Sequence, residues 1–185
     1  MEIPLNDISR ETGALKARLL DAFGSVIETG KYILGEQCSS FEQAIAQYHG
    51  VSEAIGVGNG TDALRISMAA LGVGEGSIVA TTPNAGAYAS IAARSLGAKV
   101  VWFDVSEKGQ ACPSSFRLLV NRLAEEGKKI QAVVITHLYG ALAPIEDISA
   151  IARDSGIRVI EDCAQGFGAR RDGRLAGSFG DVATF

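Results

Sequence analysis

Two short apolar runs constrain this chain more than any other feature. Residues 130–136 and 157–161 are dense in valine and isoleucine. Runs of this length without strict alternation are strands buried on both faces, as in a parallel sheet covered by helices. Between them, residues 145–154 form a helix, and a strand–helix–strand succession puts the two strands in one sheet, parallel. The pattern repeats upstream: a strand over 77–82, a helix over 88–96, a strand over 100–105, and a helix over 113–126 with Phe116, Leu119, Val120 and Leu123 inward. The expected fold class is α/β, a mostly parallel sheet flanked by helices. Residues 54–58 read as a weak strand, and Asn59-Gly60 turns the chain into a helix from Thr61 through Leu71. Residues 166–180 read as a glycine-rich connection, and 182–185 as a strand cut short, so the chain is expected to be a fragment.

The first fifty residues carry a different pattern. Leu15, Leu19, Phe23, Val26 and Ile27 keep helical spacing and predict an amphipathic helix over residues 10–28. Phe41, Ile45 and Tyr48 share one face of a second helix, with Ser39 or Ser40 as its cap. The organisation read from this is an N-terminal helical segment, 1–50, followed by one domain over 51–185.

Bulk properties remove several classes. A net charge of -4 with no basic stripe argues against nucleic acid as a partner. No apolar run approaches the roughly 20 residues of a membrane span, and the start lacks a signal-peptide pattern. Cys38, Cys112 and Cys163 are odd in number and far apart, which fits reduced thiols of a cytoplasmic protein. His49 and His137 offer no helical metal pair, so no metal site is expected.

The chemistry concentrates at the end of the 157–161 strand. Glu161 and Asp162 stand there, followed by Cys163 and Gln165 in a small-residue turn. Adjacent residues on a strand point to opposite faces, so only one of the two carboxylates can meet a given ligand. Ligands of open α/β sheets bind outside the carboxyl ends of the strands, so a carboxylate with an amide three residues on can face a cofactor. The other reading is that Asp162 caps the next helix and Glu161 is solvated. Gly56-x-Gly58-x-Gly60-Thr61 precedes a helix whose first amides suit a phosphate, but Thr61 stands where a dinucleotide fingerprint needs glycine. Nothing local supports Cys163 and His137 as a nucleophile pair, and Ser178 lacks the spacing of a nucleophile elbow. Arg170-Arg171 with Arg174 reads as a solvated loop or as a contact for an anionic group.

Taken in order, the segments resemble the DegT/StrS family of pyridoxal-phosphate-dependent sugar aminotransferases. The resemblance rests on Gly30-x-Tyr32-Ile33-Leu34-Gly35, Asn59-Gly60-Thr61-Asp62-Ala63-Leu64, Gly97-Ala98, Phe103-Asp104-Val105, His137-Leu138-Tyr139-Gly140, Glu161-Asp162-Cys163-Ala164-Gln165 and Gly177-Ser178-x-Gly180-Asp181. It implies the aspartate-aminotransferase fold, fold type I, with residues 51–185 an incomplete pyridoxal-phosphate-binding large domain truncated before the C-terminal domain. It implies that Asp162 meets the pyridine nitrogen, Gln165 the phenolic oxygen, and the turn Gly60, Thr61 and Asp62 the phosphate, with the amides of Thr61 and Asp62 as donors. An aromatic usually stacks on the ring; Tyr88 is the candidate, one residue beyond Ala87. The family's Schiff-base lysine falls beyond Phe185, and the six lysines present, Lys16, Lys31, Lys99, Lys108, Lys128 and Lys129, do not match its motif. No catalytic residue is therefore expected here, and the isolated chain is expected to be inactive. The implied activity is amino transfer, usually from glutamate, to a nucleotide-linked keto sugar in a homodimer. The alternatives are a sugar dehydratase of the same family, with histidine for that lysine, or a non-catalytic regulatory or binding remnant.

Overall fold

The computed structural model describes Pro4 and residues 7–185, in two compact units, one ending at Gly56 and the other running from Val57 to Phe185. The first holds helices α1, Ile8–Thr29, and α2, Glu36–His49. Asp7 caps α1 by accepting from the Ser9 amide at 3.1 Å, and Gly30 closes it at φ 65°, a left-handed conformation natural to glycine. Helix α2 starts earlier than its serines suggest. The Gly35 carbonyl already accepts from the Cys38 and Ser39 amides, so Ser39 and Ser40 lie inside the helix and cap nothing. Leu19, Phe23 and Phe41 are each more than half exposed, and no residue of α1 is buried.

Residues 54–58 form no strand, contrary to the sequence reading. A strand needs a ladder partner, and none of the described strands pairs with this stretch. The Gly56 amide instead donates to the Glu42 carboxylate at 2.7 Å.

The second unit opens with α3, Gly60–Ala70. It continues through β1, Ile78–Thr81; α4, Tyr88–Ser95; β2, Lys99–Trp102; α5, Pro113–Glu125; β3, Ala132–Thr136; α6, Ile145–Asp154; and β4, Arg158–Asp162. A small hairpin follows, β5, Arg170–Arg171, and β6, Arg174–Leu175, then β7, Val182–Thr184. The main sheet has the order β2-β1-β3-β4-β7 and every pairing is parallel. The two apolar runs are therefore neighbours, with Val133 opposite Val159 and Val134 opposite Ile160. The hairpin is the element sequence reasoning passed over. Asp172 and Gly173 both take left-handed conformations, φ 50° and 80°, which is the two-residue turn an Asp-Gly pair favours.

The sheet separates two layers. Leu64 and Met68 of α3 and Ala89, Ala92 and Ala93 of α4 pack with Ala132, Val134 and Ile160 on one face. Phe116, Leu119 and Leu123 of α5 and Ile145, Ile148 and Ile151 of α6 pack with Val133, Ile135 and Val159 on the other. Successive strand residues alternate between faces. Asp162 and Thr136 therefore share the α3/α4 face, and Glu161 and His137 the α5/α6 face. Truncating a residue such as Ile160, wholly buried at the centre, costs about 2–5 kcal/mol. Among the described residues no helix is long and apolar enough to cross a membrane.

Candidate functional site

Helix α3 runs antiparallel to the strands. The Leu71 carbonyl, just past its C-terminus, accepts from Gln131 at 3.1 Å, and Gln131 immediately precedes β3. That end lies at the amino edge of the sheet. An eleven-residue helix and a five-residue strand both span about 16 Å. The N-terminus of α3 therefore reaches the carboxyl edge, on the face that carries Asp162. Helix α4, entered from the carboxyl end of β1, brings Tyr88 to the same edge and face.

Asp162 ends β4, half-buried. Its carboxylate accepts from the Thr136 hydroxyl at 3.1 Å and the Ala164 amide at 3.2 Å. No α-helix follows, so it caps none. Among the described residues no basic side chain pairs with it. Asp162 is therefore a half-buried carboxylate with two neutral donors and, among the described residues, no counter-charge.

Gln165 is exposed and its orientation is fixed. The Tyr139 amide donates to Gln165 Oε1 at 3.0 Å, so the amino end of the same side chain turns the other way as a donor. Tyr139 stands in a 3₁₀ turn, Leu138–Gly140, at φ 58°, an uncommon conformation for a residue with a Cβ. Sequence reading missed this contact because it joins two loops 26 residues apart.

At the start of α3, Asn59 is the N-cap. Its Oδ1 accepts from the Asp62 amide at 2.9 Å, and its Nδ2 donates to the Asp62 carboxylate at 2.9 Å. The spacing Asn59-x-x-Asp62 is a reciprocal capping pair, legible in the sequence. The Asp62 amide, expected as a phosphate donor, is thus taken by the cap. Gly60 and Thr61 lie in the first turn, where amides have no intrahelical acceptor, and Gly60 has open space where a Cβ would stand. Asp62 also lies 3.6 Å from Arg65. Tyr88 is exposed, and its ring folds over Gly86, where an added Cβ would come within 2.7 Å of it.

Glu161 is wholly buried, not solvated. Oε1 accepts from the amides of Phe179 at 2.6 Å and Gly180 at 2.7 Å, and Oε2 from the Gly177 amide at 2.9 Å. His137 Nε2, also buried, lies 2.9 Å from Oε2. His137 Nδ1 accepts from the Ala143 amide at 3.1 Å, so the ring proton sits on Nε2 and points at Glu161. Burial pushes the Glu161 carboxyl up. The His137 bond and the Gly177, Gly180 and Phe179 amides outweigh it and hold the group below the usual carboxylate range. With four donors aimed at it, the ion is fully satisfied and faces away from Asp162. Cys163 joins the same buried cluster. Burial, then the nearby Glu161 and Asp162 charges, raise its thiol far above the ordinary value, which removes it as a nucleophile. Arg171 of the basic run meets the Glu146 carboxylate at 2.7 Å and the Leu142 and Ala143 carbonyls, while Arg174 stacks over Phe179.

A family model described as the DegT/DnrJ/EryC1/StrS aminotransferase family matches residues 14–185. A Micromonospora megalomicea subsp. nigra protein named dTDP-3-amino-3,4,6-trideoxy-alpha-D-glucose transaminase is 37% identical over 172 residues, 92% of this chain and 44% of that protein. A crystal structure of a DegT DnrJ EryC1 StrS aminotransferase from Brucella abortus superposes with a TM-score of 0.92 at 30% identity, over 98% of this chain and 49% of that one. A Bacillus subtilis structure described with bound cofactor PMP superposes with a TM-score of 0.82 at 26% identity, over 95% of this chain and 40% of that one. The chain spans about half the length of the relatives it matches.

Proposed function

Because the chain belongs to the DegT/DnrJ/EryC1/StrS aminotransferase family, we propose that the protein containing it transfers an amino group from an amino acid, glutamate by the family resemblance, to the ketone of a nucleotide-linked sugar. Pyridoxal phosphate is the proposed cofactor; when bound, it supplies an electron-accepting ring that stabilises the carbanion left when a substrate proton departs. The observation that carries this reading is Asp162, an uncompensated carboxylate at the carboxyl edge of the sheet. Asp162 would hold a proton on the ring nitrogen, and the Thr136 hydroxyl and Ala164 amide keep it oriented. Gln165 would present its amino end to the phenolic oxygen, with its own oxygen tied to Tyr139. The amides of Gly60 and Thr61, at the positive end of α3, would receive the phosphate. Asp62 would contribute by fixing the turn with Asn59 rather than by donating its amide. Tyr88 would lie against the ring, which requires its side chain to leave Gly86.

Three of the four lysines of the second unit sit far from Asp162. Lys99 starts β2, and Lys128 and Lys129 precede β3, so all three lie at the amino edge, about 16 Å along the strands from the carboxyl edge. By the family resemblance, the proton-carrying lysine of the proposed reaction is none of the lysines of this chain. The proposed assembly is a homodimer, supported by the exposed Leu19, Phe23 and Phe41 of the N-terminal helices. The test is direct: incubate the full-length protein with pyridoxal phosphate, glutamate and a nucleotide-linked keto sugar, and identify products by mass. An amino sugar with 2-oxoglutarate supports the reading; a dehydrated sugar, or no turnover with any such ketone, refutes it.

A further inference from the structure

The loop that meets Gln165 is braced by the most deeply buried polar pair in the second unit. His137 begins this loop and its ring reaches across to the loop's far end, accepting from Ala143 through Nδ1. The opposite ring nitrogen is anchored on Glu161, which three backbone amides of the 177–180 turn fix in turn. The imidazole is therefore a strut of defined length between β4 and Ala143. The residues it spans include Tyr139 and Gly140, at φ 58° and 76°. A tyrosine holds a left-handed conformation at a cost and keeps it where its surroundings over-determine the backbone. The Gln110 side chain binds the Leu138 carbonyl and Arg171 binds those of Leu142 and Ala143, so the loop's carbonyls are also tied. Its amides at 139 and 143 go to Gln165 and His137. The second loop is fitted to the same residue: a Cβ on Gly166, next to Gln165, would lie 2.6 Å from the His137 Cβ and 3.3 Å from its carbonyl oxygen.

We propose that His137 and Glu161 are positioning residues for the cofactor site: they set the backbone of the 137–143 loop and, through the Tyr139 amide, decide which end of the Gln165 side chain faces the ligand. Neither touches the reacting groups; both lie on the opposite face of the sheet from Asp162. The inference rests on the reading of Gln165 as a cofactor contact.

The test is a double-substitution cycle in the full-length protein with pyridoxamine phosphate as probe, which binds without a Schiff base. His137→Gln keeps a donor for Glu161 and loses the acceptor for Ala143. His137→Asn does the reverse and carries the test if the first variant does not fold. Either substitution is expected to weaken probe binding about tenfold, the scale of one lost charge-assisted or neutral hydrogen bond, and to do nothing further once Gln165 is alanine. In the cofactor-free protein the Tyr139 amide should exchange about tenfold faster, the same scale, with β3 and β4 amides unchanged. A loss of affinity that is as large in the Gln165→Ala background, or no loss at all, or an unchanged Tyr139 exchange rate, overturns the inference. If Gln165→Ala alone binds the probe as the parent does, the cofactor reading of Gln165 fails and the inference fails with it. That outcome is told apart from the others because it appears with His137 intact.

Discussion

Replacing Glu161 with glutamine is the sharpest perturbation the buried network offers. The carboxylate receives four donors: Phe179 and Gly180 on Oε1, and Gly177 and His137 on Oε2. Glutamine supplies one oxygen and one NH₂ group. With the oxygen toward Phe179 and Gly180, the NH₂ confronts the Gly177 amide and the His137 Nε2 proton. The imidazole cannot escape by moving its proton to Nδ1, because that nitrogen accepts from Ala143. Two buried donors are stranded, each worth about 1–3 kcal/mol. Removing a buried charge returns part of this. The net loss is about 3 kcal/mol, or roughly 6–12 °C in melting temperature for a chain of this size. The pH dependence has a defined sign. A carboxyl held below its ordinary value stabilises the fold above the unfolded value, about 4.3, and that contribution disappears as pH falls through the folded value. Parent and variant should therefore differ fully at pH 7 and converge below about pH 4.3. Thermal and urea melts followed by circular dichroism, descending from about pH 7 through about pH 4.3, follow the onset of that convergence. A loss under about 1 kcal/mol at pH 7, or a gap that widens in acid, would show that Glu161 is not the satisfied ion described.

Three further outcomes follow from the same geometry. Gly166→Ala places a methyl 2.6 Å from the His137 Cβ and should cost about 1–3 kcal/mol in urea unfolding, because neither backbone can yield freely; a neutral substitution would mean the two loops are not in contact. Native protein at about pH 8, near the ordinary thiol range, should react with a thiol reagent at Cys38 and Cys112 but at Cys163 only after denaturant, as the last is buried and its thiol strongly raised; rapid modification of all three in buffer contradicts this. Gln165→Glu keeps an oxygen for the Tyr139 amide and removes the outward donor, so stability should hold within about 1 kcal/mol while binding of pyridoxamine phosphate falls roughly tenfold; unchanged binding would remove Gln165 from the site.

The sheet was legible because valine and isoleucine pack both faces of β3 and β4, which leaves those runs no alternative to a covered parallel sheet. Helix α6 was legible to the residue, Ile145–Asp154, because its apolar positions keep helical spacing. What failed was decided elsewhere in the chain. Residues 54–58 have strand-like residues but no ladder partner, and strand formation depends on that partner. The hairpin at Asp172-Gly173 carried a turn signal that was lost among the neighbouring glycines and arginines. The alternation of side chains along β4 is a property of any strand, so the separation of Glu161 from Asp162 was legible in their adjacency alone. That Glu161 is buried depends on Gly177, Phe179, Gly180 and His137, 16 to 24 residues away, and no local pattern encodes those contacts. The Asn59-x-x-Asp62 spacing carries its own capping signal, whereas the family resemblance points to the amides of this turn and not to the side chain that occupies one of them.

If Asp162 rather than Glu161 faces the cofactor, as proposed, substituting each carboxylate alone separates the two. Asp162→Asn and Glu161→Gln are made separately in the full-length protein, and the single-turnover rate of forming the pyridoxamine form with the amino donor is measured, normalised to folded protein. Asp162→Asn keeps an acceptor for one of its two donors, so it should fold nearly as the parent does. On the proposed reading it removes the charge that would face the ring nitrogen, and the rate should fall by about 10²-fold or more, the scale of one lost preorganised electrostatic contact. Glu161→Gln should fall by less than about tenfold, the scale of one perturbed hydrogen bond. If Glu161→Gln is instead the slower variant by a wide margin, Asp162 is not the cofactor-facing carboxylate.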